Sequence, residues 1–175
     1  MLKQILIVAG VVALMSPTGM AQSAADIAKA ENGESCIDCN LFQVELAYSQ
    51  IKNVTFAGSR LRQSNLTLST MDGVSFNRTN LSIANLYGGR FTGASFKNAD
   101  LSRATLVGGS FDAANFAGAN LTDANISGAE MSKARGLTQE QLNAACGDEY
   151  TELPTGLSVQ PVSYTHLTLP TNREV

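Results

Sequence analysis

A large apolar residue stands at every fifth position from Leu41 to Met131, without one slip. Neither ordinary element can use that period. Five residues advance an α-helix by about 500°, so the apolar side chains would wander over its whole surface. In a flat strand each odd step sends the side chain to the opposite face. The spacing works when three residues run extended and the next two turn a corner that resets the inward direction. Each pentad is then one short side of a coil. Two residues before each large residue sits a small or slim one, from Cys39 and Val44 to Ala124 and Ala129, and the residue between is polar from Asn40 through Glu130.

Sorting the large residues at a spacing of twenty gives the number of sides. Leu41, Leu61, Leu81, Leu101 and Leu121 form one column, and Leu46, Leu66, Leu86, Leu106 and Ile126 a second. Ile51, Met71, Phe91, Phe111 and Met131 form the third, and Phe56, Phe76, Phe96 and Phe116 the fourth. Like side chains recurring every twenty residues stack only if four pentads close one turn. The expectation is an all-β, four-sided solenoid of just under five coils, about 23 Å long at strand spacing.

Ala84-Asn85-Leu86, Ala99-Asp100-Leu101, Ala114-Asn115-Phe116 and Ala119-Asn120-Leu121 resemble the Ala-Asp/Asn-Leu-x-x pattern of the pentapeptide-repeat proteins. The resemblance covers residues 39 to about 133 and implies a right-handed quadrilateral β-helix. The early coils depart from it, with Val, Ser and Thr in place of Ala, so less regular turns are expected there.

The flanks read differently. Residues 1–21 have one charge at Lys3, an apolar run over 5–15, and Gly19 and Ala21 at positions −3 and −1 of a cleavage site. These are the parts of a secretory signal peptide, and the run is too short to span a bilayer. Export to a periplasm or beyond is the expectation. Residues 22–38 form an N-terminal segment that covers the first coil, since open solenoid ends expose strand edges. Residues 134–161 form a C-terminal cap, in which Thr138 and Gln141 read as a capping box opening a short helix to about Cys146, with Gly147 as its stop. Residues 162–175 begin VSYTHLTLPT, which back-translates to a string resembling a sequencing adapter, and are set aside as a non-native tail. His166, the only histidine, goes with them.

Cys36 and Cys39, extended backward in register, both point inward. A disulfide is the leading reading in an oxidising compartment, with two buried thiols next. A redox site lacks a βαβ context, haem attachment would need His where Asn40 stands, and zinc would lack four ligands. Cys146 is left odd. The Asn-x-Ser/Thr triplets at Asn53, Asn65, Asn77, Asn80, Asn120 and Asn125 resemble glycosylation sites, but the pentad generates them by itself.

Charge separates the functional classes. Residues 40–133 sum to +2, residues 22–38 to −3 and residues 134–161 to −3. No polybasic excess points to nucleic acid. Some pentapeptide-repeat proteins bind DNA gyrase through an acidic rod that imitates duplex DNA; this rod is slightly basic, and the leader points out of the cytoplasm. Ice or polysaccharide binding is a further alternative, but an ice-binding face wants an unbroken outward Thr ladder, which the column Asn40, Arg60, Asn80, Asp100, Asn120 does not supply. With no histidine in 22–161, neither a catalytic residue nor a metal or cofactor site is expected. The expected role is an exported, non-catalytic structural or protein-interaction module. Its candidate contact stripe is Tyr48, Leu68, Tyr87 and Val107 on one side, with Ile83 at the neighbouring corner. The partner and the oligomeric state stay open.

Overall fold

The computed structural model describes residues 23–161. The expected leader, 1–21, and the tail, 162–175 with His166, lie outside the described residues.

Backbone pairing links each outward residue to the one twenty positions on. Asn40 pairs with Arg60, Arg60 with Asn80, Asn80 with Asp100 and Asp100 with Asn120, all parallel. The same step holds on the other three sides, beginning with Glu45–Asn65, Gln50–Thr70 and Thr55–Ser75. Four pentads close one turn, and the architecture is an all-β solenoid. A side contributes a single paired residue before the chain turns again, so continuous strands are scarce. Among the described residues only β1 (Cys146–Gly147) and β2 (Gln160–Pro161) are longer, and they pair in parallel.

Where the polar residue of a pentad is Asn or Asp, it commonly has a structural task. Asn65 Oδ1 accepts the N–H of Thr67 at 3.1 Å, and Asn80, Asn85, Asp100, Asn115, Asn120 and Asn125 hold the N–H two residues on in the same way. This Asx turn starts those corners with a short polar side chain, the reason Asn and Asp recur there. The hydroxyls of Thr67, Ser82 and Thr122 donate to the same oxygens at 2.6–2.7 Å. The Asn-x-Ser/Thr triplets at Asn65, Asn80, Asn120 and Asn125 are thus parts of turns.

A bond across the corner, such as Val44 N–H to Leu41 O at 3.1 Å, closes a four-residue turn. Its third residue has positive φ at all nineteen corners from 38 to 128, seven of them Gly and twelve not. Positive φ at that residue alone is the type II pattern. The early turns expected to be less regular keep the corner φ, with Gln43, Tyr48 and Asn53 at 57°, 60° and 56°. Some of their closing bonds are looser, however: 3.3 Å at Ser49, 3.5 Å at Val74 and, among the described residues, none at Val54, against 2.9–3.0 Å at Ala114, Ala119, Ala124 and Ala129. Each corner is also held by the next coil, as where Gln43 N–H donates to Arg62 O at 3.0 Å, which keeps the early corners in place where their own closing bond is weak.

Inside, all four columns are buried. Phe56, Phe76, Phe96 and Phe116 stack with centroids 5.8, 5.1 and 5.0 Å apart, and Phe91 stacks on Phe111 at 5.2 Å. Edge-to-face contacts tie the two Phe columns together, Phe91 to Phe96 at 5.9 Å and Phe111 to Phe116 at 5.6 Å.

Helix α1 (Ala24–Glu31), which the sequence reading did not assign, opens on Ser23, whose side chain accepts from Asp26 N–H. It buries Ala30 and lays Ile27 against the core. Helix α2 (Gln139–Asn143) opens on Thr138 with both bonds of the capping box to Gln141 present. It is shorter than expected: Ala144 is its C-cap, in the right-handed conformation, and Gly147 is not its stop. Solenoid pairing takes the chain instead, because Cys146 donates to Ala124 O at 2.9 Å and pairs with Asn125. The helix replaces one side of a coil, Leu142 entering the core fully buried. The step of twenty becomes 21 at Asn125–Cys146 and 22 at Glu130–Glu152.

Candidate interaction surface

The stripe residues follow from the corner geometry. On the side built on Leu46, Leu66, Leu86 and Leu106, the corner residues stack coil on coil through backbone bonds. Tyr48 N–H donates to Thr67 O at 2.9 Å, Leu68 N–H to Tyr87 O at 2.8 Å and Gly88 N–H to Val107 O at 2.9 Å. Tyr48 is 72% exposed, Leu68 47% and Tyr87 48%. Val107 is half-buried on the same corner, and Ile83, also half-buried, belongs to the neighbouring one. The structure therefore gathers Tyr48, Leu68 and Tyr87 into one exposed line and sets Val107 and Ile83 at its margins. Leu68 leans along the rod over Gly88, where a Cβ would meet its Cδ2 at 2.7 Å.

Tyr48, Leu68 and Ile83 hold φ of 60°, 52° and 60°. Gly or Asn holds this conformation at least cost, and a β-branched or bulky side chain at the most. The turn does not explain why large apolar residues occupy these corners.

Sequence reading missed one member of the surface. Tyr150 is 73% exposed and borders a groove of about 580 Å³ with Val107, Ser127, Asp148 and Pro161, which continues the stripe towards the C-terminal end. It follows α2, where the pentad register that flagged the other tyrosines no longer applies. Burial raises the Asp148 carboxyl, but hydrogen bonds from Gly128 N–H at 2.8 Å, the Thr151 hydroxyl at 3.0 Å and the Tyr150 and Thr151 backbone outweigh it and hold the group below its ordinary value.

Cys36 and Cys39 are both buried and joined in a disulfide with Cα atoms 5.7 Å apart. Potential ligand atoms of Asp26, Cys36 and Cys39 lie within 4.8 Å of one another, but joined sulfurs offer no thiolate. Cys146 is free and exposed.

A parallel solenoid of five-residue sides, closed every twenty residues and cornered by type II turns, is a repeat protein in which each coil packs on its neighbours. Family models described as Pentapeptide repeats match residues 49–88 and 59–98, with 8 copies, and residues 91–135, with 9 copies. The chain belongs to the pentapeptide-repeat family. Among solved structures, it is similar to HetL, a pentapeptide repeat protein involved in heterocyst differentiation regulation from the cyanobacterium Nostoc sp. strain PCC 7120, at 20% identity over 73% of this chain and 67% of that one, TM-score 0.41. Rfr23 from the cyanobacterium Cyanothece 51142 matches at 20% identity over 74% and 97%, TM-score 0.41. QnrB1, a plasmid-mediated fluoroquinolone resistance protein, matches at 19% identity over 72% and 87%, TM-score 0.41. No curated protein matches the chain.

Proposed function

We propose that this protein is an exported, non-catalytic rod that engages a protein partner through the corner carrying Tyr48, Leu68 and Tyr87. The scaffold is taken as a right-handed quadrilateral β-helix of just under five coils with α2 as its C-terminal cap, and residues 1–21 as its leader. The observation that carries the reading is the choice of residue at strained corners. Tyr48 and Leu68 are exposed apolar side chains at positive φ, where Asn or Gly would hold the turn at lower cost and greater solubility. Aromatic side chains are the common anchors of protein interfaces. A DNA-mimicking role would need an acidic rod, and residues 40–133 sum to +2.

The test is affinity capture from the host periplasm with the wild-type protein and with the double variant Tyr48→Ser, Tyr87→Ser. Loss of a captured protein from the variant supports the reading. An unchanged set of captured proteins and an unchanged oligomeric state would make the stripe structural. Recovery of the protein from the cytoplasmic fraction alone would remove the exported part.

A further inference from the structure

The eight cations of residues 40–133 are sorted by side. Arg60 projects from the side built on Leu41, Leu61, Leu81 and Leu101, Arg78 and Lys97 stand in the corner before that side, and Arg62 and Arg103 in the corner after it. Within that range the same side and corners carry Asp100 and Asp123, and beyond it Asp38 lies in the corner beneath Gly58 and Glu140 stands beside Asn120 and Thr122. Asp100 is already engaged, by Ser102 N–H at 3.0 Å and by the Asn120 amide at 3.1 Å.

The remaining three cations, Lys52, Arg90 and Lys133, lie on the opposite side. There Arg90 grips Asp72 through two bonds of 3.1 and 2.6 Å, and Lys133 meets Asp112 at 3.0 Å. None of the five cations on the first side has an ion pair among the described residues; Arg60 lies over the Phe42 ring, 5.0 Å from its centroid. Five cations on this side thus stand unpaired near four carboxylates, whereas two of the three on the opposite side are held in ion pairs.

The shape of the array selects its ligand. A coil side is flat and about 10 Å across, and the five cations spread over neighbouring coils about 4.8 Å apart. They form a two-dimensional patch, whereas a linear polyanion would meet only one row of it. Asn77, Arg78, Lys97 and Asn98 line a shallow recess of about 240 Å³ within the patch, and Asn77 is fixed there by accepting from the Ser95 hydroxyl at 2.6 Å. A guanidinium, an ammonium and two amides around such a recess suit a phosphate monoanion. Residues 22–38 and 134–161 each sum to −3, so a negative surface is met along the middle coils and not at either end.

We propose that this basic side docks on the surface of an anionic phospholipid bilayer, seating a headgroup phosphate between Arg78 and Lys97. The contact is peripheral; among the described residues no helix is long and apolar enough to cross a membrane. It is separate from the Tyr48 corner and independent of what that corner binds.

Flotation of the full chain with vesicles tests this. One set is phosphatidylglycerol and phosphatidylcholine in equal parts, the other phosphatidylcholine alone. The apolar run at residues 5–15 would partition into both, so the difference between the two sets isolates the charge contribution. Arg78→Asn and Arg103→Asn keep a side chain that tolerates positive φ, and Lys97→Gln and Arg62→Gln keep length. Each is expected to weaken binding to the anionic vesicles about fivefold, and rising salt to abolish the preference. Lys52→Gln and Lys133→Gln leave it unchanged. Equal binding to both vesicle types overturns the proposal, as does an equal loss from Lys52→Gln. Displacement from the vesicles by stoichiometric heparin or duplex DNA, with tighter binding lost through the same four substitutions, would reassign the side to a soluble polyanion and also overturns it.

Discussion

The ring of Phe91 lies across the α-carbon of Gly89: a Cβ built on Gly89 would sit 2.6 Å from Phe91 Cε2 and 3.3 Å from Leu86 O. Phe111 covers Gly109 in the same way, at 2.8 Å. In the same column, where the large residue is Met131, the inward small residue is Ala129, fully buried. The column thus trades ring volume for the methyl group two residues earlier. Gly89→Ala is expected to destabilise by about 1–3 kcal/mol through overpacking, and Phe91→Met in the same chain should recover most of that loss. Denaturant unfolding of the two singles and the double closes the cycle; additive effects would disprove the coupling.

Buried hydroxyls in the early coils are not equivalent. Ser59 Oγ donates to Cys36 O at 2.8 Å and accepts Cys39 N–H at 3.0 Å, joining the coil that carries the disulfide to the next. Ser64 Oγ is buried without a hydrogen-bond partner. Ser59→Ala leaves two backbone groups unsatisfied and should cost about 1–3 kcal/mol. Ser64→Ala removes an unpaired hydroxyl from an interior position that Ala84, Ala104 and Ala124 fill in later coils, so its effect is expected to be neutral or stabilising. Thermal melts of the two variants should move apart, and a larger loss from Ser64→Ala would contradict the hydrogen-bond pattern.

The C-terminal end carries a pH-dependent contribution at Asp148. Asp148 is held below its ordinary value by bonds that its carboxylate accepts from Gly128 N–H and from the Thr151 hydroxyl and backbone. A carboxyl lowered in the folded state stabilises that state above its unfolded value, about 3.9, and the contribution disappears as pH falls through the lower folded one. The amide proton of Gly128 should therefore titrate with a midpoint below about 3.9. Asp148→Ala should remove the titration, and a midpoint above the ordinary value would reverse the assignment.

The columns were legible from sequence because each side repeats one inward position without insertion, so that Leu41 to Leu121 and Phe56 to Phe116 could be aligned by counting alone. The inward pair Cys36 and Cys39 and the capping box at Thr138 followed from the same register and from local hydrogen-bond chemistry. Counting fails after Met131, where α2 takes the place of a side and the pairing step slips, so Gly147 was read as a helix stop when it belongs to β1. Helix α1 carried a readable start in Ser23 and Asp26. Its eight residues lie outside the pentad register, so residues 22–38 read from sequence only as an N-terminal cap. Charge summed along the chain concealed that Arg60, Arg62, Arg78, Lys97 and Arg103 share one side, because sidedness needs the corner positions as well as the columns. Ser, Thr and Val in the early inward positions looked like weakened repeats, yet Ser59 and Thr79 use their hydroxyls to hold Cys36 O and Phe56 O on the preceding coil, both at 2.8 Å.

Thiol chemistry gives the last prediction. Cys36 and Cys39 are buried and bonded while Cys146 is free and exposed. The native protein should therefore release one equivalent of chromophore from a disulfide thiol reagent, and the reduced, denatured chain three. The Cys36–Cys39 bond closes a short loop beneath α1, whose Asp26 carbonyl lies 3.9 Å from Cys36 Sγ. A loop of this length constrains the unfolded chain modestly, by about 2 kcal/mol in the chain-entropy view. Cys36→Ser with Cys39→Ser should cost that much or somewhat more, since two hydroxyls would replace apolar sulfur in the core. Cys146→Ser should leave stability unchanged and abolish the native thiol signal. Denatured without reductant, the chain should still release one equivalent; three there would mean that the first coil carries a buried dithiol, and the double substitution should then cost only the burial of two hydroxyls.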